Sequence, residues 1–397
     1  MSTFGTWLLV IGVPLHVFDR TGSTAATGAA FVAETLPAIM FGPAAGVLVD
    51  RMDRRRVMMA TDVVRALAVL SMLMVQDGTD IWIIYVAILV ENGAAQLFRP
   101  SRQAIIPSLV ASDERLPAAN AMFGMIDGLV RLFGSVAGGI VYTASGFETL
   151  VVLDASSYLA SAFGCYLIRH RAPRRRTSHV TMSSGAADLR AGLAHVWQER
   201  FLRGLLAVTA LFYLANGALT SLLVPFARTQ LHADALRFGY LLTALGLGYL
   251  AGTPLARLII ERFSTRTAVL ISVPWLACCF GLAFGPRQYS LTVLAFALAG
   301  APAVILLVAV STAYQRQTPD SMLGRVATAF LTVEMTVSVV GAATGSSVAE
   351  ETGLMPVIIA SITVLVGLVL ILPQLLPRPQ TVPDPPPRSS SLPAARR

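Results

Sequence analysis

Gly46-Val47-Leu48-Val49-Asp50-Arg51-Met52-Asp53-Arg54-Arg55-Arg56 separates two long apolar stretches and packs two acids and four arginines into a gap too short for a domain. Such a segment reads as a tight turn between two membrane-crossing helices, because short arginine-rich loops remain on the cytoplasmic side of a bilayer. Asp50 ends an apolar helix, where a carboxylate can face the positive amino end of a neighbouring helix.

Working outward, apolar runs of about 20 residues, the length that crosses a bilayer, recur along the whole chain. Of 397 residues, 55% are apolar and 13% charged, which sets the class as an all-α, polytopic membrane protein. The pattern predicts twelve helices over 4–18, 28–49, 57–76, 81–98, 118–143, 148–168, 204–227, 236–260, 267–285, 289–312, 325–347 and 354–376. An even number puts both termini on one side. With that side cytoplasmic, 24 of the 30 arginines fall in cytoplasmic loops or the tail. Arg20, Arg228, Arg237 and Arg287 fall outside, and Arg65 and Arg131 lie within helices. Charge in alternate loops is the mark of a membrane topology and not of a soluble helical core.

The chain contains no lysine. That excludes a GxxxxGK[ST] phosphate loop, a Schiff-base lysine and the Ser-x-x-Lys hydrolase arrangement. Cys165, Cys278 and Cys279 lie in apolar spans and read as buried thiols, and five scattered histidines offer no metal spacing. No cofactor and no metal is expected. Gly246 to Gly252 has the wrong spacing for a dinucleotide loop and sits inside an apolar helix. The net charge of +8 is accounted for by cytoplasmic arginines beside anionic lipid, so nucleic acid is not an expected partner.

The chain divides into a six-helix bundle over 1–169, a cytoplasmic linker over 170–203, a second bundle over 204–376 and a disordered cytoplasmic tail over 377–397. The linker carries an amphipathic stretch from Ala186 to Trp197, and the tail holds seven prolines. Gly-x-x-x-Gly permits close helix approach in lipid, and its placement suggests repetition. Gly42/Gly46 and Gly248/Gly252 fall in the cytoplasmic halves of helices 2 and 8, while Gly134/Gly138 and Gly341/Gly345 fall in the outer halves of helices 5 and 11. Parallel repeats of this kind are those of major facilitator transporters.

The Gly46–Arg56 turn resembles the signature loop between helices 2 and 3 of the major facilitator superfamily. Asp53, where most members have glycine, resembles the drug:proton antiporter branch that contains macrolide efflux pumps and the enterobactin exporter. Phe98-Arg99-Pro100-Ser101-Arg102-Gln103-Ala104-Ile105-Ile106-Pro107 with Ala118-Ala119-Asn120-Ala121 is similar to that branch's helix 4 to 5 connection. Leu153-Asp154-Ala155-Ser156-Ser157-Tyr158 is similar to its sixth helix, and Pro319 to Val326 to its helix 10 to 11 loop. There are departures. Ser135 stands where the fifth-helix antiporter motif usually has proline, and the loop from Arg257 to Arg266 keeps only a faded copy of the arginine-rich turn. The first span, at 15 residues, reaches about 22 Å against a core of roughly 30 Å, so the sequence predicts that a basic segment and half a helix precede Met1.

Ionisable residues inside a bilayer are costly and therefore functional candidates. Glu34 lies in helix 2, Glu91 in helix 4, Asp127 and Arg131 in helix 5, and Glu334 in helix 11. Asp127 and Arg131, one turn apart, can neutralise each other, or Glu91 can compete for Arg131. Glu334 has no arginine within a turn on its own helix, which suits a proton carrier. Asp62 and Arg65 form an expected structural pair.

The resemblance implies two bundles rocking about a central cavity. Protons load carboxylates such as Glu334 or Glu91, and Asp50, Arg51, Arg54 and Arg55 close the cytoplasmic side by pairing across the bundles, onto helix 11. It also implies a bacterial cytoplasmic (inner) membrane protein, monomeric, whose partners are lipid, protons and a small amphipathic cargo such as a drug, a macrolide-like compound or a siderophore. Uptake or facilitated transport of a metabolite, and a non-transporting receptor, are the alternatives. No nucleophile-base or metal constellation supports an enzyme.

Overall fold

The computed structural model describes residues 2–50, 52–109, 116–167 and 184–376, less the side chains at 2, 43–47, 50, 104, 106–109, 116–121, 123, 124, 127, 131 and 184–186. The described chain is helical: α1 (Ser2–Thr21), α2 (Thr24–Asp50), α3 (Arg54–Ser71), α4 (Ile81–Leu109), α5 (Leu116–Leu167), α6 (Ser184–Gln198) and α7 (Arg200–Ser221) come first. They are followed by α8 (Leu223–Thr229), α9 (Ala235–Arg262), α10 (Thr265–Phe284), α11 (Tyr289–Gln317), α12 (Asp320–Thr352) and α13 (Leu354–Leu375). Among the described residues ten helices are long and apolar enough to cross a membrane. One of them, within α5, turns sharply at Gly146 (φ 82°, ψ 179°) and is two helices in tandem. With α1 beside them, the twelve expected helices are present.

Local chemistry sets the ends. Asp53 caps α3 by accepting from the amides of Arg55 (3.1 Å) and Arg56 (3.3 Å). Asp234 caps α9 through the Arg237 amide at 2.7 Å, and Ser264 caps α10 through that of Thr267 at 3.2 Å. Each cap satisfies donors that the first helical turn leaves free. Several helices differ in length from the sequence expectation, with α11 running on to 317 and α12 extending five residues further at each end. α1 has 20 residues, continuing past 18 to Thr21. α4 continues past 98 to Leu109, so the stretch read as a connection is helical as far as 109, carrying Arg99 and Arg102 on its last turns.

The helices pair in a repeated pattern. In the first half, Gly134 of α5 lies on Trp7 of α1, and Gly138 on Leu8 and Ile11. In the second, Gly341 and Gly345 of α12 lie on Leu214 and Ala218 of α7. An offset of 207 residues carries Gly134, Gly138, Trp7 and Ile11 onto Gly341, Gly345, Leu214 and Ala218. It also carries Gly146 onto Gly353, which bends α12 into α13 with φ 89°. Gly248 and Gly252 of α9 meet Ala297 and Ala301 of α11. Gly42 of α2 is more open, with only the Gln96 side chain near, at 3.9 Å from where its Cβ would stand. Where two backbones touch, a Cβ has no room, and such approach replaces the hydrophobic drive that lipid does not supply.

The halves meet along α5 with α9 and α2 with α12. Ser135 and Gly139 lie against Gly239 and Ala235, and Gly28 lies against Ser346. Polar bridges gather at the same end. Glu350 of α12 accepts from the amides of Thr24 (2.7 Å) and Ala25 (3.2 Å), from the Thr24 hydroxyl (2.7 Å) and from the Ser23 hydroxyl (3.1 Å). A carboxylate of one half thus caps the positive amino end of a helix in the other. Beside it Arg228 pairs with Asp19 at 2.5 Å. At the opposite end, the linker helix α6 lies on α12, with Asp188 bonded to Arg325 at 2.8 Å and Gly192 against the Arg325 carbonyl.

Gly341→Val is expected to destabilise the second half by about 1–3 kcal/mol through overpacking. Gly353→Ala is expected to cost about 1–3 kcal/mol through its left-handed φ. Gly367→Ala, with nothing near its Cβ position, is the neutral control. Thermal unfolding of the detergent-purified protein checks all three.

Candidate functional site

A cavity of about 510 Å³ opens inside the second half, walled by α7, α9, α10, α11 and α12. Its wall is apolar and aromatic, with eight Phe and Tyr side chains, among them Phe212, Tyr213, Tyr314 and Phe330. The Tyr314 and Phe330 rings tilt against each other at 5.3 Å. Glu334, half-buried, is the one charged side chain among the described lining residues, with the Thr209 hydroxyl beside its carboxylate. No ion pair reaches it from the described residues. Asn216, Thr220, Ser311 and Thr328 add neutral hydrogen-bonding groups. A volume of this size, mostly apolar with few polar groups, fits the general form of a small-molecule site.

A second cavity of about 300 Å³ lies between the halves and shares Thr220, Leu223, Leu242, Leu245 and Tyr249 with the first. Trp7, Thr27, Phe31 and Ser135 face it from the first half, as does Glu34 from α2. Glu34 and Glu334 therefore line two adjacent cavities that share part of a wall, approached from two different helices.

Glu91 stands elsewhere. It belongs to a buried polar cluster of the first half, in which the Arg65 guanidinium donates to the Tyr158 hydroxyl (2.6 Å) and that hydroxyl donates to the Glu91 carboxylate (2.6 Å). Arg65 is 3.8 Å from Glu91 and 3.7 Å from Asp62, and its guanidinium lies 4.0 Å from the Tyr158 ring centre. Thr6 of α1 bonds the same hydroxyl at 2.7 Å. Asp154, one turn before Tyr158, is fully buried and holds the Ser157 hydroxyl at 3.3 Å; a Cβ at Gly5 would collide with both. Asp62, Tyr158 and Asp154 are all 0% exposed, so α1, α3, α4 and the second arm of α5 are tied together in the interior by charge.

Glu91 pairs with Arg65 because α3 and α4 pack side by side; its expected competition for Arg131 falls on a side chain outside the described residues. The side chains of Asp127 and Arg131 lie outside the described residues, as do those of Gly46 and Asp50 and the whole of Arg51. In the charged turn, Arg55 donates to the carbonyls of Cys165 (3.0 Å) and Tyr166, at the end of α5 in its own half and not on α12. Asp53 serves as a helix cap and pairs with Arg56 at 3.8 Å. Cys165 and Cys279 are buried, but Cys278 is exposed, since adjacent helical residues point about 100° apart. No group of His, Cys, Asp and Glu among the described residues could hold a metal ion.

Asp154 and Tyr158 were missed as site residues by sequence reasoning. The available signal was an acid in the middle of an apolar span, one helical turn from a tyrosine.

A family model described as transmembrane secretion effector matches residues 1–389. The MFS-type transporter YfiS of Bacillus subtilis is 25% identical across 94% of this chain and 90% of its own. The multidrug efflux pump Tap of Mycolicibacterium fortuitum is 24% identical across 68% of this chain and 66% of its own. Macrolide efflux protein A of Streptococcus pyogenes is 22% identical across 53% and 52%. Among solved structures, the nucleoside transporter NupG aligns with a TM-score of 0.73 at 14% identity, covering 94% of this chain and 96% of that one. A bacterial homologue of the iron transporter ferroportin, in an inward-facing state, aligns at 0.75 with 12% identity, covering 95% and 96%. The fold is that of major facilitator transporters, seated in a lipid bilayer around a small-molecule path, and neither fold nor family is that of an enzyme.

Arg65→Leu is expected to cost about 3–5 kcal/mol of stability, because it strands buried carboxyls. Tyr158→Phe is expected to cost about 1–3 kcal/mol. The double variant Arg65→Leu/Glu91→Leu is expected to cost less than the sum of its two single changes, as read from unfolding midpoints.

Proposed function

This chain belongs to the transmembrane secretion effector family of the major facilitator superfamily, and we propose that it exports a small amphipathic molecule across the bacterial inner membrane in exchange for protons. Residues 1–169 and 204–376 are the moving bodies, the 170–203 linker and both termini face the cytoplasm, and the working unit is a monomer. The observation that supports this reading is that, among the described residues, the polar bridges between the halves gather at one end of the central cavity. The Glu350 cap, the Asp19–Arg228 pair and the glycine contacts shut the end bearing the amino terminus of α2. With arginine-rich loops at the other end, the closed end is the outer one. The cavity is then loaded from the cytoplasm, the step with which export begins.

Glu334 is the proton carrier we assign, with Glu34 on the adjoining cavity, while the Arg65–Tyr158–Glu91 cluster holds the first half rigid. Discharge follows when the halves rock and the outer bridges part, a shift that cargo and proton drive through their different affinities for the two states. The charged turn of Asp50, Arg51, Arg54 and Arg55 would then close the cytoplasmic side. Names of the relatives, a multidrug pump and a macrolide efflux protein, agree with outward transport of such cargo.

In inverted or reconstituted vesicles, adding a cargo to the wild-type protein is expected to move protons, and Glu334→Gln to abolish that coupled movement while expression persists. Normal coupled transport by Glu334→Gln would remove the proton assignment. Glu350→Ala is expected to weaken the outer closure by about 0.5–2 kcal/mol, the worth of a helix cap. Solvent labelling of a cysteine introduced at Thr27 should then increase; unchanged labelling would count against that gate.

A further inference from the structure

The charged groups on the cavity walls are of one sign. Of the described residues lining the two adjacent cavities, Glu334 and Glu34 are the charged ones, and both are acids. Neither carboxylate forms an ion pair among the described residues; the Arg99 charge reaches Glu34, whereas no described cation reaches Glu334. In a space lined mainly by apolar carbon, such unpaired acids set a negative local field, because the surroundings screen poorly. A carboxylate-bearing or catecholate cargo entering there would leave water without meeting a counter-charge, and burying an unpaired anion is strongly unfavourable.

The aromatic groups favour the opposite sign. Tyr213 of α7 and Tyr314 of α11 flank Glu334 closely enough to feel its charge, and Phe330 lies one turn before it on α12. The negative faces of such rings attract a cation, most strongly when it is desolvated. A ring wall with one carboxylate and scattered hydroxyl and amide groups thus matches a bulky apolar body bearing one positive charge.

From this arrangement we infer that the cargo class is the lipophilic cation, above all a hydrophobic amine whose ammonium sits on Glu334 among Tyr213, Tyr314 and Phe330. The inference names the cargo of the site proposed above and rests on that reading. It separates the amine-bearing cargoes from the siderophores named earlier, since siderophores present acidic groups. Asn216, Thr220, Ser311 and Thr328 are placed to satisfy polar groups on the body of the molecule, which permits variety among cargoes of one charge.

Tetraphenylphosphonium and tetraphenylborate have nearly the same shape and opposite charge, so together they test charge alone. Equilibrium binding of each to the full-length protein in detergent at neutral pH is expected to be saturable for the phosphonium and absent for the borate. Glu334→Gln is expected to weaken phosphonium binding by at least about tenfold, as loss of a charged partner does, whereas Glu334→Asp keeps it within about threefold. Borate binding as tight as phosphonium binding, no saturable phosphonium binding, or phosphonium binding indifferent to Glu334→Gln would each overturn the inference. Should the glutamine variant fail to fold, the two probes on the wild-type protein decide the matter. Because binding needs no transport, Glu334-dependent phosphonium binding without proton movement in vesicles would sink the export reading and leave the cation site standing.

Discussion

Backbone contact between helices is the constraint on which the rest of the molecule depends. In lipid, side chains gain nothing by leaving one apolar medium for another, so helices hold together by packing and by polar contacts. Gly134 and Gly138 on α1, Gly341 and Gly345 on α7, and Gly248 and Gly252 on α11 let backbones touch where any side chain would intervene. These seams run within each half. They brace each half from within, the property that the proposed rocking of one half against the other requires.

Contacts between the bodies have a different character. They are fewer in kind, gathered at one end and partly electrostatic, with Glu350 seated on the amino end of α2 and Arg228 on Asp19. Such bonds are exchangeable for water when they part, so the joint can open without exposing a dry core. A carboxylate on a helix amino end was anticipated for Asp50 in the charged turn. The same physics operates at the opposite end of the molecule with another residue.

The helices were legible because lipid imposes length, apolarity and arginine placement at once, leaving little freedom to the reading. Boundaries blurred where those signals conflict: Arg99, Pro100 and Arg102 read as a loop, yet α4 carries on through them as far as Leu109. Of the candidate site, Glu34 and Glu334 could be picked out because each is a lone acid in an apolar run. Their adjacent cavities could not, since these depend on which faces α2 and α12 turn inward. The Arg65–Tyr158–Glu91 cluster was hidden for a related reason. Its members come from three helices, and a count of depth along each helix does not say which faces meet. Arg55 likewise bonds carbonyls over a hundred residues away, a partner no local pattern announces.

The offset of 207 residues that superimposes Gly134, Gly138 and Gly146 on Gly341, Gly345 and Gly353 also aligns Asp154 with Ser361 and Tyr158 with Leu365. A scaffold copied with its hinges and seams intact has therefore lost, or never acquired, its charged interior in the second copy, where a hollow stands instead. In the export reading both copies move, one braced throughout by its buried charges and the other hollowed into a cup. Inheritance can then revise the cup residue by residue while the braced copy keeps its form.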